Sequence, residues 1–401
     1  MKKRLLFVIE SLNLGGAEKS LVTLLNRLDY EKYEVDLQLF TRGGKFEELL
    51  PEEVNILPQL PYFGYCCIAY NDIFRKLKAP FLLYSQVSYS IKLRLKKYNN
   101  IEKSVNLWKT CRRFFEISNK QYDVAIAYAQ GTPTFYVNEK VNAIKKIAYI
   151  NVSYFPKEKY KTYIENQLGQ FDFINCVSDS VYNQCISYFK LETNKYVIIE
   201  DLIDTEFNVK MVNLTKLGTD VELQNDELFL LSVGRLVNQK GFDMAVEACK
   251  ILINRELKFK WFVIGEGNQR QLLEDKIRKN KLEDIFILLG AKSNPYPYFK
   301  ACDIYIQPSR FEGFGITIAE AKMFNKPIVA TNFDAVRLQI TNNINGLIVD
   351  LTPESIAYGI QKMINDNGYR NNIIENLKQE DVNNYEELDK FYEIIEESKW
   401  C

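Results

Sequence analysis

Histidine does not occur anywhere in this chain of 401 residues. Without an imidazole, a Ser-His or Cys-His catalytic pair and a histidine-ligated metal are excluded. An apolar run of 18 residues is also missing, so no transmembrane helix is expected. The run after the basic residues 2–4 is only about five residues long, and it predicts a first β-strand rather than a signal peptide.

Paired cysteine motifs are missing as well. The eight cysteines form no CxxC pair, which argues against a zinc ribbon or a thioredoxin-like site. The adjacent Cys66 and Cys67 leave a redox pair open as a minor alternative. Cysteines scattered in this way are typical of reduced, mostly buried thiols in the cytoplasm.

Net charge is zero, but the charges are unevenly distributed along the chain. Residues 71–115 contain eleven Lys and Arg against Asp72 and Glu102, with eight aromatic residues interleaved. This mixture on helices suits an anionic membrane surface, and an ordinary solvated helical face is an equal alternative. A nucleic-acid partner is not expected, because no recognition motif accompanies the charge.

Short apolar runs alternate with helical patterns twice, over residues 1–205 and again over 227–384. The polar segment 206–226 between them predicts a linker. Such alternation is typical of parallel sheets covered on both faces, so the expected class is α/β with two doubly wound Rossmann-like domains. The charged amphipathic segment 385–401 predicts a helix that either packs back on the first domain or remains in solvent. The predicted strands are Arg4–Ile9, Val35–Phe40, Val124–Ala129, Ile147–Ile150, Phe173–Val177, Tyr196–Ile199, Leu228–Val233, Lys260–Ile264, Phe286–Leu289, Ile304–Gln307, Pro327–Ala330 and Gly346–Val349.

The stretch SRFEGFGITIAEA, residues 309–321, places Glu312 and Glu320 eight positions apart, with two glycines after the first. A helix over 316–324 would put Glu312 at its N-terminus and Glu320 about one turn inside. Unpaired N–H groups at a helix start attract phosphate, and glycine lets a ligand approach the main chain. Because carboxylates accept hydrogen bonds from sugar or ribose hydroxyls, the stretch predicts a site for a nucleotide-linked sugar.

Arg235 and Lys240 follow a predicted strand, with Gly234 and Gly241 beside them. The fork of an arginine and the point charge of a lysine can meet at one diphosphate and stabilise its negative charge as it departs. Either cation alone would equally suit a solvated loop. The GGAE that begins at Gly15 and the GEG that begins at Gly265 are weaker signals, since each also suits a turn without a ligand and neither is a GxGxxG.

In this order, GR-x4-KG, GEG, the strand DIYIQPS and E-x7-E resemble the retaining GT-B glycosyltransferases of family 4. The resemblance is strong from about residue 228 to 350, and the first half resembles the family mainly through GGAE. It implies two Rossmann-like domains that face a central cleft, a nucleoside diphosphate sugar as donor, and transfer with retained anomeric configuration and without a metal or other cofactor.

The resemblance also implies roles for single residues. Arg235 and Lys240 would bind the donor diphosphate, Glu312 would contact hydroxyls of the donor sugar, and Glu320 would hold both ribose hydroxyls. The catalytic candidates are thus Arg235, Lys240 and Glu312. The implied donor-binding set is Gly16, Gly234, Arg235, Lys240, Glu312, Gly313, Phe314, Gly315, Ile316, Thr317 and Glu320.

The chain departs from the family at Asn151, where many members have a histidine near the reacting centre. Asparagine can hydrogen-bond a sugar hydroxyl but cannot take a proton. Asn151 is therefore an acceptor-side candidate, and the leaving phosphate is expected to take the acceptor's proton.

The expected function is transfer of a hexose-type sugar from a nucleoside diphosphate donor, most commonly a UDP-sugar, to a glycan or lipid-linked oligosaccharide in surface polysaccharide synthesis. The expected location is the cytoplasm, at the inner face of the cell membrane through residues 71–115. A sugar-nucleotide epimerase is an alternative, and the absence of histidine argues against it. A non-catalytic sugar-nucleotide-binding subunit is a second alternative, which Asn151 leaves open.

Overall fold

A computed structural model describes residues 2–13, 15–66, 80–95, 98–152, 156–214, 217–218, 220–224, 226–292 and 294–397. The chain divides into two compact units. Unit 1 comprises residues 1–13, 17–201 and 386–401, and unit 2 comprises residues 14–16 and 202–385.

Unit 1 is built on a seven-stranded parallel sheet with the order β3-β2-β1-β4-β5-β6-β7. Its apolar strands are buried along most of their length, as expected for parallel strands covered by helices on both faces. The strands are β1 Lys3–Ile9, β2 Tyr33–Leu39, β3 Val54–Ile56, β4 Gln121–Ala127, β5 Asn142–Ile150, β6 Phe173–Cys176 and β7 Tyr196–Ile198. The described α-helices that lie wholly or mostly in this unit are Gly16–Arg27, Pro61–Cys66, Pro80–Leu95, Asn100–Cys111, Thr132–Lys140, Glu158–Leu168, Asp179–Tyr188 and Glu386–Glu396.

Unit 2 repeats the same doubly wound order on a six-stranded parallel sheet, β10-β9-β8-β11-β12-β13. A buried hydroxyl joins its three central strands: Trp261 Nε1 donates to Ser232 Oγ at 3.0 Å, and Ser232 Oγ donates to the Ile306 carbonyl at 2.7 Å. The strands are β8 Leu228–Val233, β9 Phe259–Ile264, β10 Phe286–Gly290, β11 Ile304–Gln307, β12 Ile328–Thr331 and β13 Leu347–Val349. The helices are Thr205–Leu214, Phe242–Ile253, Arg270–Lys279, Tyr296–Ala301, Ile316–Met323, Val336–Gln339, Pro353–Asn365 and Asn367–Lys378.

The two parallel sheets confirm the predicted α/β class, and every predicted strand is present with bounds shifted by a few residues. The three-residue β3 was missed, since so short a run carries no period. The structure also differs over the expected linker 206–226, because Thr205–Leu214 is a helix of unit 2. Its buried face includes Asn208 and Met211, three positions apart. The polar Asn208 interrupts the apolar periodicity from which an amphipathic helix is predicted.

The C-terminal helix Glu386–Glu396 belongs to unit 1. Phe391 stacks on Phe7 of β1 at 6.1 Å between ring centroids, and Tyr392 stacks on Tyr33 of β2 at 5.6 Å. Aromatic burial of this kind contributes about 0.5–1.5 kcal/mol per pair beyond the area removed from water. The last described helix therefore helps to stabilise the first domain.

Among the helices that the structure describes, none combines the length and the apolar character needed to cross a membrane.

The side chains of Glu200 and Glu387 lie close together just after the end of β7. The backbone N–H of Glu200 donates to Glu387 Oε2 at 2.8 Å, and Glu387 is buried. Burial, and after it the charge of Glu387, raises the pKa of Glu200 to about 7, although Lys390 opposes this in part. Glu200 thus carries a proton in the folded chain at pH values where an unfolded chain has released it.

Because the pKa of Glu200 is raised, the folded chain binds more protons than the unfolded chain between the usual glutamate range and about pH 7. The free energy of unfolding therefore falls as the pH rises through this range. We therefore expect Glu200→Gln to raise the melting temperature more at pH 8 than at pH 5. Thermal unfolding at both pH values measures the difference. Glu192→Gln, at an exposed position, is the matched control, and an equal effect of Glu200→Gln at both pH values would contradict the assignment.

Candidate functional site

The carboxyl ends of β8 and β11 lie side by side at the centre of the unit 2 sheet. From β8 the chain continues to β9 on one side, while β11 leads to β12 on the other. The direction in which successive strands are added thus reverses between β8 and β11. At such a point, open α/β sheets have a crevice beyond the carboxyl ends of the strands in which they bind ligands. Gly234 and Arg235 follow β8 directly, and the loop 308–315 follows β11, so most of the predicted site residues reach this edge.

Glu312 is held at one carboxylate oxygen by three donors. Its Oε1 accepts from Lys240 Nζ at 2.7 Å, from Gln307 Nε2 at 2.7 Å and from Ser309 Oγ at 2.5 Å. The side chains of Lys240 and Glu312 are only 15% and 8% exposed, so the charges attract each other with little screening. Oε2 accepts no hydrogen bond from the described residues.

Two glycines leave room for the turn from which Lys240 reaches Glu312. A Cβ at Gly234 would lie 3.2 Å from Lys240 Cδ and Cε, so the lysine passes directly over this residue. Gly241 has a φ of +67°, and a Cβ there would lie 1.9 Å from the Pro308 carbonyl oxygen. Any other residue at 241 would push the loop after β11 away from the turn after β8.

A second ion pair clamps these two segments together. Arg310 donates to both carboxylate oxygens of Asp243, at 2.7 and 2.8 Å. The Arg310 N–H donates to the Gln239 carbonyl at 2.7 Å, and Gln239 Nε2 donates to the Phe311 carbonyl at 3.0 Å. A bidentate pair restricts orientation as well as distance, so the loop that presents Glu312 is fixed on both sides.

The helix Ile316–Met323 begins beside Glu312, after Gly315 with a φ of +89°. The first N–H groups of a helix have no intrahelical partner, and with the helix dipole they favour an anion at this end. Thr317 Oγ1 donates to Gln307 Oε1 at 3.0 Å, so the helix start is tied to the same network. The Phe314 side chain lies in an apolar cluster with Ile203 and Ala319, which leaves only its backbone available to a ligand.

Glu320 lies one turn into this helix and is 4% exposed. Tyr296 Oη donates to Glu320 Oε1 at 3.1 Å, and burial raises the pKa of Tyr296 well above its usual value. The structure gives no contact between Glu320 and the Lys240–Glu312 pair.

Arg235 is exposed, and its guanidinium has no ion pair with the described residues. It is therefore a cation at the sheet edge whose charge no described residue of unit 2 neutralises. The GEG turn has a structural explanation: a Cβ at Gly265 would lie 1.9 Å from the Gly234 carbonyl oxygen, and one at Gly267 would lie 2.3 Å from that of Leu236.

Gly16, the exposed first residue of the helix Gly16–Arg27, belongs to unit 2. A Cβ at Gly16 would lie 3.7 Å from Ile316 Cγ2, so this predicted residue lies at the start of the helix Ile316–Met323. Asn151 follows β5 of unit 1, where its Nδ2 donates to the Tyr128 carbonyl at 2.9 Å. Sequence reasoning missed Gln307, Ser309, Arg310 and Tyr296, although polar residues in an otherwise apolar strand and its loop were a signal for the first two.

Within the residues that the structure describes, no group of three or more Cys, Asp or Glu side chains is arranged to hold a metal ion.

Comparisons with known proteins show which family this part of the chain resembles. The family model described as glycosyl transferases group 1 matches residues 218–380, which include the whole Lys240–Glu312 network. An uncharacterised glycosyltransferase of Methanocaldococcus jannaschii is 28% identical over 215 residues, which are 52% of this chain and 55% of that protein. The chain thus spans about half the length of this relative.

A second relative matches nearly the whole chain. The N-acetylgalactosamine-N,N'-diacetylbacillosaminyl-diphospho-undecaprenol 4-alpha-N-acetylgalactosaminyltransferase of Campylobacter jejuni is 26% identical over 365 residues, 90% of each chain. Among solved structures, HepE of Anabaena in complex with UDP and glucose has a TM-score of 0.67 at 16% identity, with 98% of this chain and 99% of that chain covered. This likeness confirms the predicted GT-B fold class of two Rossmann-like domains. Over residues 218–380, the chain is thus similar to the group 1 glycosyl transferases.

Proposed function

We propose that this protein is a retaining glycosyltransferase that moves a sugar from a UDP-sugar to a hydroxyl of a glycan or lipid-linked oligosaccharide in surface polysaccharide synthesis. The observation that carries the proposal is the Lys240–Glu312 pair at the carboxyl edge of the sheet, beside the start of the helix Ile316–Met323. Cationic and N–H donors suit a diphosphate, and a fixed carboxylate beside them suits a sugar. The relative that acts on a diphospho-undecaprenol and the HepE complex with UDP support the two substrate classes.

The proposed reaction breaks the bond between the anomeric carbon and the β-phosphate oxygen and forms a bond from the same face to the acceptor oxygen. Positive charge grows at the anomeric carbon while negative charge grows on the diphosphate. Lys240, the exposed Arg235 and the helix N-terminus would stabilise the negative charge on the diphosphate through a preorganised electrostatic field. The leaving phosphate takes the acceptor proton, so neither histidine nor a bound metal is needed.

Glu312 has a different task in this mechanism. Because its Oε1 is saturated by Lys240, Gln307 and Ser309, Oε2 is left to accept from a hydroxyl of the donor sugar. Its position then fixes the orientation of the anomeric carbon relative to the diphosphate. Orientation of this kind contributes to catalysis without proton transfer.

An exposed apolar row supports a membrane-bound acceptor. Phe81, Tyr84, Val87 and Ile91 are 75, 68, 46 and 51% exposed and recur every three or four residues on the helix Pro80–Leu95. The basic residues of its last turn, Lys92 and Arg94, carry no acidic neighbour on this helix. We propose that this face contacts an anionic lipid surface. The parts of the basic segment at 71–79 and 96–97 lie outside the described residues.

Donor binding is the first test. We expect UDP-sugars to raise the melting temperature more than GDP- or ADP-sugars, since a ligand at a hundred times its dissociation constant adds about 2.7 kcal/mol to the free energy of unfolding. Thermal unfolding with each sugar nucleotide measures this. Epimerised donor recovered without an acceptor would instead indicate an epimerase, and binding without turnover on any acceptor would indicate a non-catalytic subunit.

The Lys240→Ala variant tests the catalytic assignment. Loss of one charge-stabilising group predicts a transfer rate at least about a hundredfold lower at saturating donor. Lys250→Ala, at an exposed position of the same unit, should transfer at the wild-type rate, and wild-type activity should survive EDTA. Unchanged turnover of Lys240→Ala, or loss of activity in EDTA that added metal restores, would contradict the mechanism.

Membrane contact is tested by co-sedimentation with phosphatidylglycerol vesicles at low salt. Replacing Phe81 and Tyr84 by serine should weaken binding about tenfold or more, because the burial of two large apolar side chains is lost. The control replaces Ile117 and Ile144, which are also exposed in unit 1, by serine. Equal binding of both double variants would refute the proposed surface.

A further inference from the structure

The carboxyl edge of the unit 1 sheet carries a group of oxygen acceptors that the proposed mechanism does not use. Glu10 follows β1, Gln130 and Thr132 lie just after β4, and Asn151 follows β5. These three strands are neighbours in the sheet, so the four side chains come from adjacent strand ends. The Glu10 backbone is held in place, since its carbonyl accepts from the N–H groups of Phe40 and Thr41 at 3.1 and 2.8 Å.

Glu10 is the accessible member of the group. Its side chain is exposed and has no ion pair with a described lysine or arginine. Burial nevertheless raises its pKa, and the adjacent Thr132 hydroxyl lowers it in part. Glu10 is therefore an acceptor that a ligand hydroxyl can reach from solvent.

Two amide oxygens at the same edge have no donor. Gln130 Oε1 and Asn151 Oδ1 are buried, and neither accepts a hydrogen bond from a described residue. The side chain of Asn151 is held by the bond that its Nδ2 donates to the Tyr128 carbonyl at 2.9 Å. A buried acceptor without a partner costs about 1–3 kcal/mol, so such groups call for a ligand or water that supplies the donor.

The chemistry of the group selects its ligand. Three acceptors without a counter-charge would repel a phosphate, and a single carboxylate is a poor cation site beside two neutral amides. Hydroxyl groups are donors without charge, and a sugar presents several of them on one face. We propose that Glu10, with the amide oxygens of Gln130 and Asn151, forms a subsite for hydroxyl groups of the acceptor sugar and that Glu10 determines which acceptor is accepted. This inference rests on the proposed glycosyl transfer.

The test separates acceptor binding from donor binding. Wild type, Glu10→Gln and Gln130→Met are assayed with p-nitrophenyl glycosides of hexoses and N-acetylhexosamines as acceptor probes, and the affinity for UDP is measured by calorimetry. Glu10→Gln should raise the KM for the glycoside about tenfold, as expected for loss of a charge-assisted hydrogen bond, with kcat within about threefold and UDP affinity unchanged. Glu31→Gln, at an exposed loop position of unit 1, should match wild type.

Gln130→Met provides an independent readout. Removing an unpaired buried oxygen while keeping the side-chain shape should raise the melting temperature of the free protein and also raise the glycoside KM. If Gln130 had only a structural role, Gln130→Met would not raise both the melting temperature and the KM for the glycoside.

The failures are distinguishable. Wild type that neither binds UDP nor transfers sugar refutes the proposed function. Wild type that transfers sugar while Glu10→Gln keeps its glycoside KM refutes only the acceptor subsite. If wild type binds UDP but turns over no glycoside, saturation-transfer NMR of the same glycosides on the UDP-loaded protein decides: contact that Glu10→Gln weakens supports the subsite, and no contact overturns it.

Discussion

The ion pair between Lys240 and Glu312 is the interaction on which the candidate site depends. It joins the turn after β8 to the loop after β11 across the centre of the unit 2 sheet. Breaking a buried pair on one side costs about 3–5 kcal/mol, because the other charge is left without a partner. The glycines at 234 and 241, and the Arg310–Asp243 clamp, all serve to keep these two segments in contact. These contacts hold the two segments together without a ligand, as a preorganised electrostatic field requires.

The two units differ in the kind of hydrogen-bonding group at the carboxyl edge of their sheets. Unit 2 presents cations and the first N–H groups of a helix, with Glu312 already paired. Unit 1 presents oxygen acceptors, Glu10, Gln130 and Asn151, that lack cationic partners among the described residues. Donors suit phosphate oxygens and acceptors suit sugar hydroxyls, so the same fold, used twice, gives two chemically different edges. Function in such folds is set by these loop residues and not by the sheet.

Much of the architecture could be read from the sequence because its signals are local. Each apolar run such as Leu228–Val233 is a strand of the structure, since burial on both faces requires a continuous apolar sequence. The helix Thr205–Leu214 was missed because its buried face carries Asn208, and β3 was missed because three residues are too few for a period. Glu312 and Lys240 were found by their motifs, but their contact was not, since they are 72 positions apart.

The sequence by itself determined the fold class, the order of the strands and helices, and the residue types at the strand ends, because these follow from apolar periodicity and from glycines at turns. Only the tertiary structure decided which side chains meet: that Glu312 is held by three donors, that Arg310 pairs with Asp243, and that Glu10 lies beside Thr132 with unpaired amide oxygens nearby. The order of strands in the sheet sets these contacts. It brings together residues far apart in the chain, whose partners no local pattern can specify.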